Sequence, residues 1–525
     1  MFLIGMDLGT TNIKGLLFTR DGEIVASTSR STPTHYRGTD SADYDPEELW
    51  QVVQAILRQL AAACPHPEAI AGLAFASFAE SSVALDDDGK PLAPAIAWFD
   101  CRVLDVLEEF RRTIDEREVY RITGMSLTHI AALGKLLWEK RYLPEVFQRT
   151  RVWLCLPNYL AYRLTGEVRL DYSLASRTML FDVRRRTWSA RMCDLAGVPM
   201  HILPPVAASG TPIGVIRREV ADTLGLPPRV VVALGGHDHL CGALSAGIRR
   251  RGELLNSSGT GDSLFVPIDM AQIDDRFFEA GVGCGCHVVS GLTYALGGVR
   301  GAGRVIDWLR ETFYAPADAV AEKDQLYGTM IERAARAPVG SHGVLAAPHF
   351  QGVHIPYQDL VAKGAILGLR STHSLDDITR AMFEGLSFQL RLAVETYAVL
   401  AGETFPDVMC IGGGSQNPFW VQMKADVLER RIRVSTLREN AAHGAALLAG
   451  IGAGVYRDAE EACETASAPM IDYAPNPAHV PIYRHIFEHV YRGLHQELLG
   501  INQKLESLQK FLMEPELTKT TPSPP

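Results

Sequence analysis

Asp7, Thr10, Thr11 and Lys14 lie together around Gly9 in the segment FLIGMDLGTTNIKGLLF, residues 2–18. The apolar flanks read as two strands and the Gly-Thr-Thr step as the tight turn between them. Such a turn offers backbone N–H groups, two hydroxyls and a cation to a phosphate, with a carboxylate beside it for a metal ion. A plain glycine hairpin is the alternative. NSSGTGDS (256–263) is a second strand, turn and strand, and offers Gly259 and Thr260. Two such turns would grip a phosphate from both sides of a cleft. In ALGGHDHL (233–240), Asp238 follows a Gly-Gly turn at the mouth of an apolar strand and opens a helix. A helix dipole stabilises a carboxylate there. Asp238 therefore reads either as a helix N-cap or as a general base aimed into a cleft, with His237 and His239 making its surroundings polar.

In CIGGGSQNPFW (410–420) three glycines end a strand and open a helix, which lets a flat ring or a phosphate approach the backbone. The spacing is not GxGxxG, and no GxxxxGK[ST] loop occurs, so any ATP is bound without a P-loop. Glu80, Trp98, Asp100 and Arg102 end short apolar strands in 76–102. A carboxylate such as Glu80 can accept two neighbouring hydroxyls of a polyol, and the Trp98 face can pack on its C–H surface. Trp98 as core, and Asp100 with Arg102 as a structural ion pair, are the competing readings. Asp86-Asp87-Asp88-Gly89 reads as a hairpin turn.

The elements that must carry these residues follow from periodicity and punctuation. Strands are expected at 2–7, 14–19, 23–28 and 70–77. A helix over 46–63 opens on Asp45-Pro46-Glu47-Glu48, an acidic cap with Pro and acids in the first turn. Helices dominate 101–200. The pattern then restarts: a strand at 229–234, a helix at 239–247, a strand at 253–258, and a long helix at 374–401. Strands at 407–411 and 431–435 and helices at 418–429 and 439–454 complete it. The chain thus holds two α/β blocks that share this logic without a sequence repeat. Boundaries are expected at 1–250 and 251–500, with a disordered tail over 501–525.

The 525 residues exceed what one core usually serves. A net charge of −10 argues against general nucleic-acid binding. The nine cysteines are odd in number and scattered through apolar segments, as in a reduced cytoplasmic protein. Cys284-Gly-Cys286-His287 lacks a second ligand pair and reads as a buried strand. No signal peptide, membrane-span run or GxSxG elbow is present.

Taken in order, these segments resemble the FGGY family of carbohydrate kinases over about residues 1–495. The likeness is carried by MDLGTTNIK, Lys135-Leu-Leu-Trp138, LPNYLAYRLTGE with DYSLASRTMLFD (156–182), GGHDHLCGALSAG and NSSGTG. DDITRAMFEGLSFQLR (376–391), GGGSQNPFWVQMKADVL and HGAALLAGIGAG (443–454) continue it. The resemblance implies an α/β fold of two ribonuclease H-like domains of the actin/hexokinase ATPase type, with the active site in the cleft between them. It implies Mg²⁺ and ATP as cofactors, Asp238 as the base, and Asp7 with Asp238 holding Mg²⁺ through its water shell. Thr10, Thr11 and Lys14 would lie near the transferred phosphate, Gly259 and Thr260 opposite, and Gly413, Gly414 and Asn417 at the adenosine end. Glu80, Trp98, Asp238 and His239 would hold a small sugar or polyol. Ala79 stands where glycerol kinases carry Arg, Phe78-Ala79 where xylulokinases carry Met-His, and Gly352-Val-His-Ile-Pro356 replaces a common Gly-Glu-Arg-Thr-Pro. Pentulose is the favoured acceptor on family frequency, with polyol and sugar acid as alternatives and a non-metabolic ATPase as a distant one. A homodimer fits the reading, and neither nucleic acid nor membrane is an expected partner.

Overall fold

The computed structural model describes residues 1–38, 41–259, 261–314 and 323–513. The chain opens with an antiparallel meander, β1 (Phe2–Leu8), β2 (Asn12–Thr19) and β3 (Ile24–Ser31). Helix α1 (Pro46–Ala63) follows. The Asp45 carboxylate caps it, accepting the Glu47 and Glu48 N–H groups at 2.8 and 3.3 Å. Leu49, Val53, Ile56, Leu57 and Leu60 form its buried stripe. The chain then returns as β4 (Ile70–Ser77), parallel to β1. A mainly helical stretch includes α2 (Ala132–Tyr142), α3 (Leu156–Thr165) and the short α4 (Tyr172–Ser176). Strands β5 (Pro212–Val215) and β6 (Val231–Ala233) complete the sheet in the order β5-β6-β4-β1-β2-β3. Beyond β6 a two-residue strand, β7 (Gly236–His237), also pairs with β4 and leads into α5 (Asp238–Ser245).

The second sheet repeats this path. It holds β8 (Leu255–Ser258), β9 (Asp262–Ile268), β10 (Gly283–Cys286) and β11 (Thr293–Val299). Then come α6 (Leu375–Ala401), β12 (Asp407–Ile411), α7 (Pro418–Leu428), β13 (Arg431–Ser435), α8 (Asn440–Gly452) and β14 (Met470–Tyr473). The order is β10-β11-β9-β8-β12-β13-β14. In both sheets two antiparallel neighbours precede two parallel strands and an antiparallel edge.

Helix α8 belongs by sequence to the second half but lies on the first sheet. A Cβ on Gly5 of β1 would come within 1.8 Å of the Ala442 carbonyl oxygen, and one on Gly72 of β4 within 2.6 Å of Ala449 O. The helix backbone thus rests directly on the strands. Leu3, Ala74, Leu240, Leu244, Ala442, Ala445 and Ala449 form a core with Leu255 and Phe265 of the second sheet. This apolar seam joins the two halves behind the cleft.

The expected disordered tail differs in the structure. Residues 501–513 continue the last helix, α9 (Arg492–Met513), and the remainder of that expectation lies outside the described residues. Leu494 is buried and Leu498 packs on the core, while Lys363 Nζ meets Glu506 Oε2 at 2.7 Å. Among the described residues no helix is long and apolar enough to cross a membrane. All nine cysteines are free thiols, eight of them buried. Cys284 and Cys286 lie in β10, and no cluster of three or more candidate ligands forms among the described residues.

Candidate active site

Strand register brings the two carboxylates together. Asp7, near the end of β1, lies opposite Ala76 of β4, and Ala76 lies opposite Gly236 of β7. Asp7 and Asp238 therefore emerge at the same end of two parallel strands that flank β4, where open α/β sheets bind ligands. Asp7 Oδ1 is buried without a hydrogen-bond partner among the described residues. Burial pushes its carboxyl up to about 7, the nearby charge of Asp238 pushes the same way, Lys14 opposes, and Glu439 adds to the rise.

The turn after β1 is closed by the Gly9 N–H on Asn12 O (3.1 Å) and by Thr32 Oγ1 on Gly9 O (2.6 Å). Thr10 Oγ1 accepts the Trp98 indole N–H at 2.9 Å. Lys14, paired in register with Asp7, donates to both oxygens of Glu439 at 2.7 and 3.0 Å. Its charge is thus shared with a carboxylate at the start of α8.

Asp238 is the first residue of α5 rather than its cap. Its Oδ1 accepts the His239 N–H at 2.6 Å, and its side chain remains 28% exposed. A Cβ on Gly235 would lie 1.9 Å from Phe75 O, so only glycine lets this segment reach the sheet edge. His237 is buried; burial, then His239 and Arg177, hold it well below the usual imidazole range and neutral. The His239 ring stacks on Phe265 of β9 at 5.2 Å.

Glu80 is 4% exposed with φ of +70°. Its Oε1 accepts Arg177 Nε at 2.6 Å, and Tyr294 of β11 lies beside the same guanidinium. Lys135 of α2 is buried and donates to the carbonyls of Trp98 (2.8 Å), His129 (2.7 Å) and Ile130 (2.6 Å). It fixes the Trp98 backbone while Thr10 holds the indole. Asp100 and Arg102 form the structural pair: Asp100 accepts the Ala42 N–H at 2.7 Å and Arg102 Nη2 at 2.7 Å, and Arg102 also meets Asp43 at 3.0 Å. Asp86 Oδ1 accepts the Asp88 and Lys90 N–H groups, closing a hairpin turn.

Across the cleft, Gly259 follows β8 and its N–H donates to Gly261 O at 2.8 Å; Thr260 lies outside the described residues. Buried Lys424 of α7 secures the roots of this turn, bonding Asn256 (3.1 Å), Ser258 (3.0 Å) and Asp262 (2.9 Å). The glycine turn after β12 packs against β8, since a Cβ on Gly414 would sit 2.2 Å from Ser258 Oγ. A Cβ on Gly413 would meet nothing within 4 Å among the described residues. Asn417 caps α7 through the Trp420 N–H (3.2 Å) and donates to the Tyr327 hydroxyl at 3.2 Å.

The structure therefore gathers Asp7, Thr10, Lys14, Trp98 and Asp238 at one cleft wall, with Glu80 and His239 beside them. Gly259, Gly413, Gly414 and Asn417 cluster on the other sheet. Sequence reasoning had not singled out Arg177 or Glu439. A lone arginine within the apolar DYSLASRTMLFD and an acid opening HGAALLAG were the available signals.

Residues 2–245 match the model of the N-terminal domain of the FGGY family of carbohydrate kinases, and residues 254–453 that of its C-terminal domain. The chain is 29% identical to the xylulose kinase of Bacillus subtilis (strain 168), over 97% of this chain and 99% of that one. The crystal structure of xylulose kinase from Rhodospirillum rubrum superposes with a TM-score of 0.86 at 27% identity, covering 96% of this chain and 100% of that one. The gluconate kinase from Lactobacillus acidophilus gives 0.85 at 25%, covering 96% and 99%.

Proposed function

Because the chain belongs to the FGGY family of carbohydrate kinases, we propose that it transfers the terminal phosphoryl group of ATP to a hydroxyl of a small carbohydrate, with a pentulose as acceptor. Asp238 acts as general base, taking the hydroxyl proton as the oxygen attacks phosphorus in line. Such a base contributes about 10²–10⁴-fold, and the rest comes from positioning and charge neutralisation. The observation that carries this reading is the strand register that brings Asp7 and Asp238 to one end of the first sheet, close enough for the charge of Asp238 to raise the Asp7 carboxyl.

Mg²⁺ fits the chemistry of this edge. Asp7 Oδ1 is buried without a partner among the described residues, and the Asp7 carboxyl is pushed up partly by the charge of Asp238. Asp7 and Asp238 would hold the ion through its water shell, and it would supply neutralisation of the phosphate oxygens. Thr10, Thr11 and Lys14 serve the phosphate from the first sheet and Gly259 from the second. Gly413, Gly414 and Asn417 serve the adenosine end. Glu80, Trp98 and His239 hold the acceptor. His237, held neutral, places no positive charge beside the base.

The likeness to xylulose kinases supports a pentulose, and that to the L. acidophilus gluconate kinase supports a sugar acid as the second reading. Free buried thiols fit a cytoplasmic setting. Coupled ADP release over a panel of ketoses, polyols and sugar acids identifies the acceptor. Asp238→Asn should then lower kcat by about 10²–10⁴-fold while acceptor binding, read by thermal shift, persists. Substantial sugar-dependent ADP release by that variant would sink the assignment.

A further inference from the structure

Among the described residues the partners of the Asp238 carboxylate are its own chain neighbours: Oδ1 accepts the His239 N–H at 2.6 Å and lies 3.7 Å from His237 Nε2. Its position is therefore set by the backbone of Gly235 to His237. On one side that backbone pairs with β4 through Gly236↔Ala76 and His237↔Ser77. On the other side, the His237 N–H donates to Ser173 Oγ of α4 at 3.0 Å. A Cβ on Gly236 would sit 2.7 Å from the same oxygen. The serine thus presses directly on the peptide that carries the base.

The Ser173 hydroxyl has one proton, and it is committed. Ser173 Oγ donates to Asp171 Oδ1 at 2.5 Å, and that oxygen also accepts the Leu174 N–H at 3.0 Å. Asp171 and Ser173 are both fully buried. With its proton held by a carboxylate, the hydroxyl can offer His237 only a lone pair. Ser176, one turn later, is arranged the same way. Its Oγ donates to Tyr172 O at 2.7 Å and accepts the Cys286 N–H of the second sheet at 3.0 Å. The next residue, Arg177, grips Glu80 at 2.6 Å.

We propose that the segment Asp171–Arg177 is the positioning element for the catalytic base, joining it through Ser173, Ser176 and Arg177 to the second sheet and to the acceptor side. Ser173 is the positioning residue proper, acting through the His237 peptide on Asp238. Asp171 orders Ser173, and Ser176 ties the short helix to β10. One rigid turn thereby fixes three parts of the site relative to one another. The inference rests on the kinase reading, and Ser173 touches neither nucleotide nor acceptor.

The test is Ser173→Ala in the full chain, with Asp171→Asn as the variant that keeps the hydroxyl but replaces its charged acceptor by a weaker neutral one. A misplacement of about 1 Å at a reacting group costs on the order of 10²-fold. Ser173→Ala should lower kcat by about 10- to 100-fold while KM for ATP and for the acceptor stays within about twofold. Asp171→Asn should give a smaller loss with the same split. Amide hydrogen exchange, which needs no acceptor, should speed up at His237 in both variants and stay unchanged along β1. Unchanged kcat, a loss carried by KM, or His237 exchange equal to wild type would overturn the proposal. A wild-type protein that phosphorylates no acceptor overturns the kinase reading instead, and the exchange measurement still judges the positioning.

Discussion

Replacing Asp7 by Asn should stabilise the ligand-free protein, and by more at pH 8 than at pH 5. The Asp7 carboxyl is held near 7 by burial, by Asp238 and by Glu439, with Lys14 opposing, against an ordinary aspartate value of 3.8. A raised carboxyl contributes its stability while protonated. That contribution fades as pH rises from the unfolded value through the folded one. Between pH 5 and pH 8 the folded protein must ionise Asp7, whereas the unfolded chain has already done so. Each pH unit below the folded value is worth about 1.4 kcal/mol, so the span costs the wild type at most about 3 kcal/mol. Asparagine has the same shape and no charge, and comparing the two pH values cancels any packing effect of the amide. The excess stabilisation corresponds to roughly 5–10 °C in Tm for a domain of this size. Melting both proteins at the two pH values, without nucleotide or divalent ion, reads it directly. An Asp7→Asn gain equal at pH 5 and pH 8, or a loss at pH 8, would refute the account of the strained carboxylate.

Glu439→Gln removes a charge that raises Asp7, so the pH at which wild-type stability falls should move toward lower pH, as a Tm series against pH would record. Glu80→Gln leaves the buried Arg177 without its counter-charge and should cost about 3–5 kcal/mol; denaturant midpoints should show Arg177→Met in the same background recovering most of it. Gly414→Ala should destabilise by about 1–3 kcal/mol, since its methyl would meet Ser258 Oγ at 2.2 Å, and Ser258→Ala should relieve part of that. Gly413→Ala, with open space around it, should leave Tm unchanged, and a weaker nucleotide affinity by calorimetry would then place this turn against the ligand.

Much of the fold was legible because its punctuation is local. Asp45-Pro46-Glu47-Glu48 marks the start of α1, and strands 407–411 and 431–435 stand at the expected residues. The turn carrying Asp7 and the strand leading to Asp238 were legible for the same reason: apolar runs ended by glycines. What could not be read is what crosses the chain. Lys14 meets Glu439 from 425 residues away, and Glu80 meets Arg177 from 97 away. The partners are set by packing of α8 and α4 against the first sheet, which no local pattern announces. Residues 501–513 depart from the expected tail for another reason. Their Lys, Glu, Gln and Ser content resembles disorder, while Ile501, Leu505, Leu508 and Leu512 keep a helical period that extends α9 to Met513.

The seat of α8 on the first sheet has a consequence for synthesis. Gly5 and Gly72 lie bare to a depth that only the backbone of Ala442 to Ala449 fills. Every strand of that sheet has been made once the ribosome reaches His237, yet its covering helix comes only with Gly452. At about 5–20 residues per second the nascent chain waits on the order of 10–40 s with an apolar sheet face uncovered. During that interval the second half of the protein serves the first as a late-arriving lid, so the halves cannot mature one after the other. A ribosome-stalled chain ending before α8 should bind a chaperone, and extension past Gly452 should release it.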